Sequence, residues 1–248
     1  DYFWSLYPNL LRNDVRSALG AFLFSGEDVE KKMGQLSGGE KVRLELCRIF
    51  YTKPNFLILD EPTNHMDLAG KEALEKIKEY VASQEEEVIQ FLKDFIAIES
   101  VTYNEGKAVE FLANKMKEFG FDEVRIDKVG NVVGRVGSGK TVLLYDAHID
   151  TVELGEPADW GGMNPLEAQM EEGKVLRGRG AVDDKGCLTG ITFAGKALKA
   201  LGLDQDFTLW VSGSLSEEDV EGSCVKAMTE ENPDIKPDFV LVAEASEG

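Results

Sequence analysis

Val142-Leu143-Leu144-Tyr145-Asp146-Ala147-His148-Ile149-Asp150 runs from an apolar stretch straight into a His-x-Asp pair. A short apolar run that stops at polar residues reads as a buried strand, and α/β folds gather their chemistry at strand ends. Two later runs stop the same way. Phe207-Thr208-Leu209-Trp210-Val211 leads to Glu217-Glu218, and Phe239-Val240-Leu241-Val242 leads to Glu244. Around them the periodicity predicts helices over 84–98, 105–119, 186–201 and 218–229. Strands are predicted near 123–128, 131–136, 141–146, 174–178, 206–212 and 238–243. This alternation implies an α/β sandwich.

Each polar piece has a bland reading when taken alone, since a lone His-x-Asp is common and adjacent glutamates are usually a solvated face. The combination is more specific. Gly178-Arg179-Gly180-Ala181-Val182-Asp183-Asp184-Lys185-Gly186 adds a carboxylate among glycines that permit a tight backbone approach. A dinuclear hydrolase site needs a bridging carboxylate, a terminal ligand for each ion, and a free carboxylate to activate water. Asp183 is the candidate bridge, Glu218 the ligand of one ion, and His148 with Glu244 the ligands of the other. Glu217, beside a ligand yet itself free of metal, is the candidate base. Asp150, two residues beyond His148 on the same side of an extended strand, is the candidate to fix the imidazole tautomer. Thr151, Arg179 and Lys185 are read as structural.

The order and spacing of these residues resemble metallopeptidase family M20, the dinuclear zinc aminoacylases, carboxypeptidases and deacylases. Glu85-Glu86-Glu87-Val88-Ile89-Gln90-Phe91-Leu92-Lys93-Asp94-Phe95 matches the family's opening helix. The resemblance implies hydrolysis of a peptide or N-acyl-amino acid with two Zn²⁺, other divalent ions being alternatives. It also implies a cis peptide at Asp183-Asp184 and, in complete members, frequent homodimers. A further His ligand and a lid domain are expected beyond Gly248. Residues 81–248 therefore read as the N-terminal half of an M20 catalytic domain, expected to be inactive by itself.

Different chemistry stands upstream. Leu36-Ser37-Gly38-Gly39-Glu40 opens an amphipathic segment, and Phe56-Leu57-Ile58-Leu59-Asp60-Glu61-Pro62 follows as an apolar strand with acidic residues at its end. Together with Asn64-His65-Met66-Asp67 they resemble the signature, Walker B and D-loop of an ABC ATPase. The resemblance implies that Ser37, Gly38 and Gly39 face a nucleotide γ-phosphate at a helix N-terminus. Asp60 would lie near Mg²⁺, and Glu61 would polarise the attacking water. With Tyr7-Pro8-Asn9-Leu10 and the segment 15–24, the stretch is most similar to the ribosome-associated ABC-F subfamily. Residues 1–80 read as a truncated ABC-F segment, a partial P-loop-NTPase-like piece with helices at 10–24, 38–51 and 68–82 and a strand at 56–60. No Walker A precedes Leu36 and no switch His follows, so ATP and Mg²⁺ are expected only for a completed domain. Ser37, Thr63 and Gly120 are read as helix caps. Asp1 is not an initiator Met, which again suggests a fragment. An ATP-driven factor with a hydrolase tail, and an inactive joined gene fragment, are the rival readings.

Gly134-Arg135-Val136-Gly137-Ser138-Gly139-Lys140-Thr141 satisfies the P-loop pattern in full, but Thr141 leads into a β run instead of a helix. It reads instead as a Gly-rich hairpin turn between the strands at 131–133 and 142–144. Charge is uneven: residues 1–80 carry 11 Lys and Arg against 13 Asp and Glu, the remainder 16 against 33. A basic nucleic-acid surface is therefore not evident in either part. Cys47, Cys187 and Cys224 have no metal-type spacing; with no apolar membrane-length run or signal segment, they point to a cytoplasmic protein with reduced thiols.

Overall fold

The computed structural model describes residues 2–8, 10–20, 22, 24, 26–51, 68–220 and 222–244. The chain divides into two compact units, Asp1–Lys76 and Ile77–Gly248. Among the described residues no helix is long and apolar enough to cross a membrane.

The first unit contains α1 (Tyr2–Leu6), α2 (Arg12–Gly20), α3 (Gly38–Tyr51) and the start of α4 (Leu68–Ser83). Phe3, Val15, Leu19, Phe24, Leu36, Leu44 and Cys47 form its core. The helix expected over 10–24 is shorter, because the amides of Phe22 and Phe24 both turn back onto Leu19 O. The five-residue α1 was too short to leave a periodic signal. The predicted strand 56–60, with Asp60, Glu61, the Thr63 cap and the D-loop Asn64–Asp67, lies outside the described residues.

Ser37 caps α3 as expected. Its hydroxyl accepts from Glu40 N at 3.2 Å while Glu40 Oε2 accepts from Ser37 N at 2.6 Å, a reciprocal capping box. Lys31 Nζ adds a 2.7 Å ion pair to Glu40. The Lys31 contact first, then the Ser37 bonds, pull the Glu40 carboxyl down to about 2. A depressed folded-state pKa contributes stability that is present above the ordinary carboxylate value and lost as pH falls toward the folded value. The stability advantage of the wild-type unit over Glu40→Gln should therefore be full at pH 6 and fade between about pH 4.5 and 2. Thermal unfolding followed by circular dichroism checks this, and a gap that stayed constant down to pH 2 would contradict it.

The second unit follows with α5 (Glu85–Ile96), α6 (Gly106–Glu118), β1 (Glu123–Ile126), β2 (Val132–Gly137) and β3 (Thr141–His148). Next come β4 (Gln169–Glu171), β5 (Val175–Arg177), α7 (Lys185–Leu201) and β6 (Phe207–Ser214). The short α8 (Glu217–Val220), α9 (Ser223–Glu231) and β7 (Phe239–Val242) complete it. Five strands form one sheet in the order β1-β2-β6-β3-β7. β1, β2 and β6 pair antiparallel, whereas β3 runs parallel to both β6 and β7.

Alternation along the strands sorts side chains to two faces. Val132, Val136, Ala147, Leu209 and Val211 pack with Phe91, Phe95, Leu112, Met116, Leu188 and Phe193 of α5, α6 and α7. Val133, Leu144 and Trp210 point the other way, onto Met228 of α9 and Ile235. Helices on both faces of a mixed sheet make the α/β sandwich that the alternation implied. α6 ends as expected at Gly120, whose φ of 79° lets Gly120 N and Phe121 N return to Lys117 O and Met116 O.

Three expectations need correction. The helix expected over 218–229 is two pieces, because Gly222 at φ 77° breaks the run ahead of α9. β5 pairs with β4, which the sequence had not signalled, in a separate two-stranded ribbon. The Gly-rich turn after β2 is not a hairpin: β6 inserts between β2 and β3. A Cβ on Gly139 would lie 2.2–2.3 Å from the backbone of Asp206 and Phe207 as the chain enters β6. These glycines thus admit a crossing strand, and Thr141 opens β3 instead of a helix.

Candidate metal centre

The register brings the acidic residues together. In parallel pairing His148 lies beside Ser214 of β6, and Asp146 beside Val242 of β7. Glu217 and Glu218 therefore follow the end of β6, and Glu244, two residues past Val242, comes level with His148. Asp183 and Asp184 stand just ahead of α7, joined by a cis peptide bond as the resemblance implied. A Cβ on Gly186 would lie 2.3 Å from Ala181 O, so only glycine allows the chain to fold this tightly behind Asp183.

His148 is 2 % exposed and stands at the centre. Its Nε2 lies 2.8 Å from Asp183 Oδ1, 3.8 Å from Glu244 Oε1 and 4.0 Å from Glu217 Oε2. Two overlapping sets bring one ligand atom from each residue within 4.8 Å: His148, Asp183 and Glu218, and His148, Asp184 and Glu244. The candidate ligands His148, Asp183, Glu218 and Glu244, with Asp150 and Glu217, thus meet at one end of the sheet. Asp184 was missed. It gave no signal beyond its place in the Asp183-Asp184 pair, yet it is fully buried, and its Oδ2 accepts from His148 N at 3.2 Å.

Asp150 does more than the sequence suggested. The carbonyl of Asp150 lies 3.0 Å from His148 Nδ1 and its carboxylate 3.4 Å away. Nδ1–H thus has an acceptor in the backbone, which leaves Nε2 turned toward the carboxylates, the usual arrangement for a metal-binding imidazole. The Asp150 carboxylate accepts from Thr102 Oγ1 at 2.8 Å, Glu217 N at 3.0 Å and Glu218 N at 3.3 Å. Lys185, read as structural, reaches the chain at α5. Its buried Nζ donates to Phe95 O and Ile98 O at the end of α5.

The electrostatics reflect carboxylates crowded around one imidazole. Burial by itself would lower the His148 pKa, but the Asp150 hydrogen bond and the charges of Asp184 and Asp150 raise it to about 10. Burial raises Asp184 to about 7. Glu217 and Glu218 are also raised, first by burial and then by neighbouring carboxylates, Glu244 for the one and Asp183 for the other. Burial opposes ionisation of Asp150, but the bonds from His148, Thr102 and Glu217 N bring its pKa below the usual range. Oδ1 of Asp184 is buried without a hydrogen-bond partner. Hard carboxylate oxygens, an imidazole nitrogen turned toward them and an unpartnered buried carboxylate oxygen are a donor set that fits divalent cations.

Residues 144–248 match the model of Peptidase family M20/M25/M40, and residues 12–64 match that of the ABC transporter family. The chain is a composite of M20-like and ABC-like sequence. Its M20-like part is 38 % identical over 174 residues to the uncharacterized protein YgeY of Escherichia coli K12, covering 70 % of this chain and 41 % of YgeY. Its ABC-like part is 40 % identical over 81 residues to the uncharacterized ABC transporter ATP-binding protein YfmM of Bacillus subtilis, covering 32 % of this chain and 16 % of YfmM. The chain thus spans well under half the length of either relative. Human carnosine dipeptidase 1 superposes with a TM-score of 0.58 at 20 % identity, over 70 % of this chain and 41 % of that one. That likeness establishes a fold shared with this dipeptidase.

Proposed function

We propose that the M20-like unit carries the ligands and the base of a metal-dependent amide hydrolase acting on a peptide or N-acyl-amino acid. The observation that carries this reading is the convergence of His148, Asp183, Glu217, Glu218 and Glu244 at the ends of three parallel strands and the start of α7. Asp183 would bridge, Glu218 would serve one ion, and His148 with Glu244 the other, with Asp184 close behind. Zn²⁺ held by these residues would supply the Lewis acid that polarises a scissile carbonyl and acidifies an attacking water. Glu217 would take the proton of that water on its carboxylate and pass it to the leaving nitrogen. Asp150 would hold the imidazole, with Nδ1–H directed to its carbonyl.

The chain has two histidines, and His148 is the one in this unit. Calorimetric titration of the chain with Zn²⁺ should therefore give one tight site, weakened at least about 10-fold in His148→Ala. Two equally tight sites would show that another residue supplies a ligand, and no binding would remove the metal reading. A second reading attaches to the first unit. Ser37, Gly38 and Gly39 stand at the N-terminus of α3, where helix amides would face a nucleotide phosphate supplied by a partner domain. Asp60 and Glu61 would then act on Mg²⁺ and water, as in an ABC-F type factor.

A further inference from the structure

The turn that carries Glu217 and Glu218 is held by side chains from elsewhere in the unit. Leu215 N donates to Asn131 Oδ1 at 3.1 Å, and Ser216 N to Glu105 Oε1 at 3.2 Å. Glu217 N and Glu218 N donate to the two oxygens of Asp150. Successive amides from Leu215 to Glu218 thus each meet a buried side-chain oxygen. Asn131 and Asp150 are fully buried and Glu105 is 4 % exposed.

Glu105 is the least expected member. It is the N-cap residue of α6, yet its side chain makes no bond to that helix. Instead its Oε1 accepts from both N and Oγ of Ser216, 111 residues away. Ser216 has φ of 53°, a conformation that a non-glycine residue holds only where its surroundings impose it. Without that grip the turn would relax toward ordinary backbone, and the carboxylates of the next two residues would swing with it. Burying a carboxylate is costly unless it is hydrogen-bonded, which argues against an idle role for Glu105.

We infer that Glu105 is a positioning residue for Glu217 and Glu218, acting through both hydrogen bonds to Ser216. This inference rests on the metal-hydrolase reading above. Amide exchange in the absence of metal, measured on the full chain by NMR, tests the grip itself. Glu105→Ala should speed exchange at Ser216, Glu217 and Glu218 about 10-fold or more. Glu105→Gln should stay within about twofold, because a single amide oxygen can accept both bonds. Should Glu105→Ala fail to fold, Glu105→Asp keeps the charge but shortens the reach, and should speed exchange at the same amides.

Zn²⁺ calorimetry then tests the consequence for the site. Glu105→Ala should weaken Zn²⁺ binding by the set His148, Asp183 and Glu218 about 10–100-fold, as expected for loss of a group supporting a ligand. Added to Glu218→Gln, it should weaken binding little further, since residues that act through one another are not additive. Unchanged exchange in Glu105→Ala, damage by Gln equal to that by Ala, or fully additive losses would each overturn the inference. A wild-type chain that binds no Zn²⁺ would sink the metal reading alone, and the exchange result would still decide whether Glu105 holds the turn.

Discussion

Replacing Glu217 by Gln, in a fusion of this chain with the part of YgeY that it does not match, should lower kcat by about 10²–10⁴-fold with metal content unchanged. Gln keeps the shape and hydrogen-bonding reach of Glu but cannot take a proton. Glu217 Oε2 stands 4.0 Å from His148 Nε2, close to the candidate ligands, yet Glu217 belongs to neither set that brings three ligand atoms together. Glu218 belongs to one of them, so Glu218→Gln should lose metal as well as rate. Metal analysis of the purified variants alongside steady-state kinetics separates the two. Zinc lost from Glu217→Gln but retained by Glu218→Gln would require the roles to be exchanged.

Gly139→Ala should destabilise the second unit by about 1–3 kcal/mol, whereas Lys140→Ala should leave its stability within about 0.5 kcal/mol. A methyl on Gly139 would press on the backbone of Asp206 and Phe207 at 2.2–2.3 Å, and backbone cannot swing aside as a flexible side chain does. Thr208 Oγ1 also donates to Gly139 O at 2.8 Å, so a shift there would disturb the entry to β6. Lys140 is exposed and lies at the turn before β3. Urea unfolding measures the stability difference, and ATP titration completes the test. If Lys140→Ala abolished ATP binding while Gly139→Ala were harmless, the Gly-Lys-Thr segment would be a phosphate loop and the strand-crossing account would fail.

Much of the site was legible in the sequence because its carriers are local. An apolar run ending in His148, another leading to Glu217-Glu218 and a third to Glu244 each announce a strand and its terminal chemistry. Parallel pairing then brings such ends to one edge. The Ser37 cap was legible through its Ser-x-x-Glu spacing, whereas the Asp183-Asp184 cis bond was expected from the family resemblance alone. Asp184 and Glu105 were not legible. Asp184 is the second of two adjacent aspartates and Glu105 a lone carboxylate between Glu99 and Glu110, and only burial distinguishes either from a solvated side chain.

Short-range pattern in the sequence determined the α/β class, the strands that end in candidate ligands and the rejection of a phosphate loop at Thr141, since periodicity and turn chemistry act over a few residues. Strand order belonged to the tertiary structure. β6 enters between β2 and β3 some 60 residues after them, and nothing in the turn they flank announces it except glycines that suit a hairpin equally well. The same holds for the grip on Glu217 and Glu218. Glu105, Asn131 and Asp150 come from separate segments, and their oxygens reach the amides of one turn only after the sheet and helices have packed. Hydrogen bonds between distant residues leave no spacing to read, because their cost and their gain are settled by burial, which exists only in the folded chain.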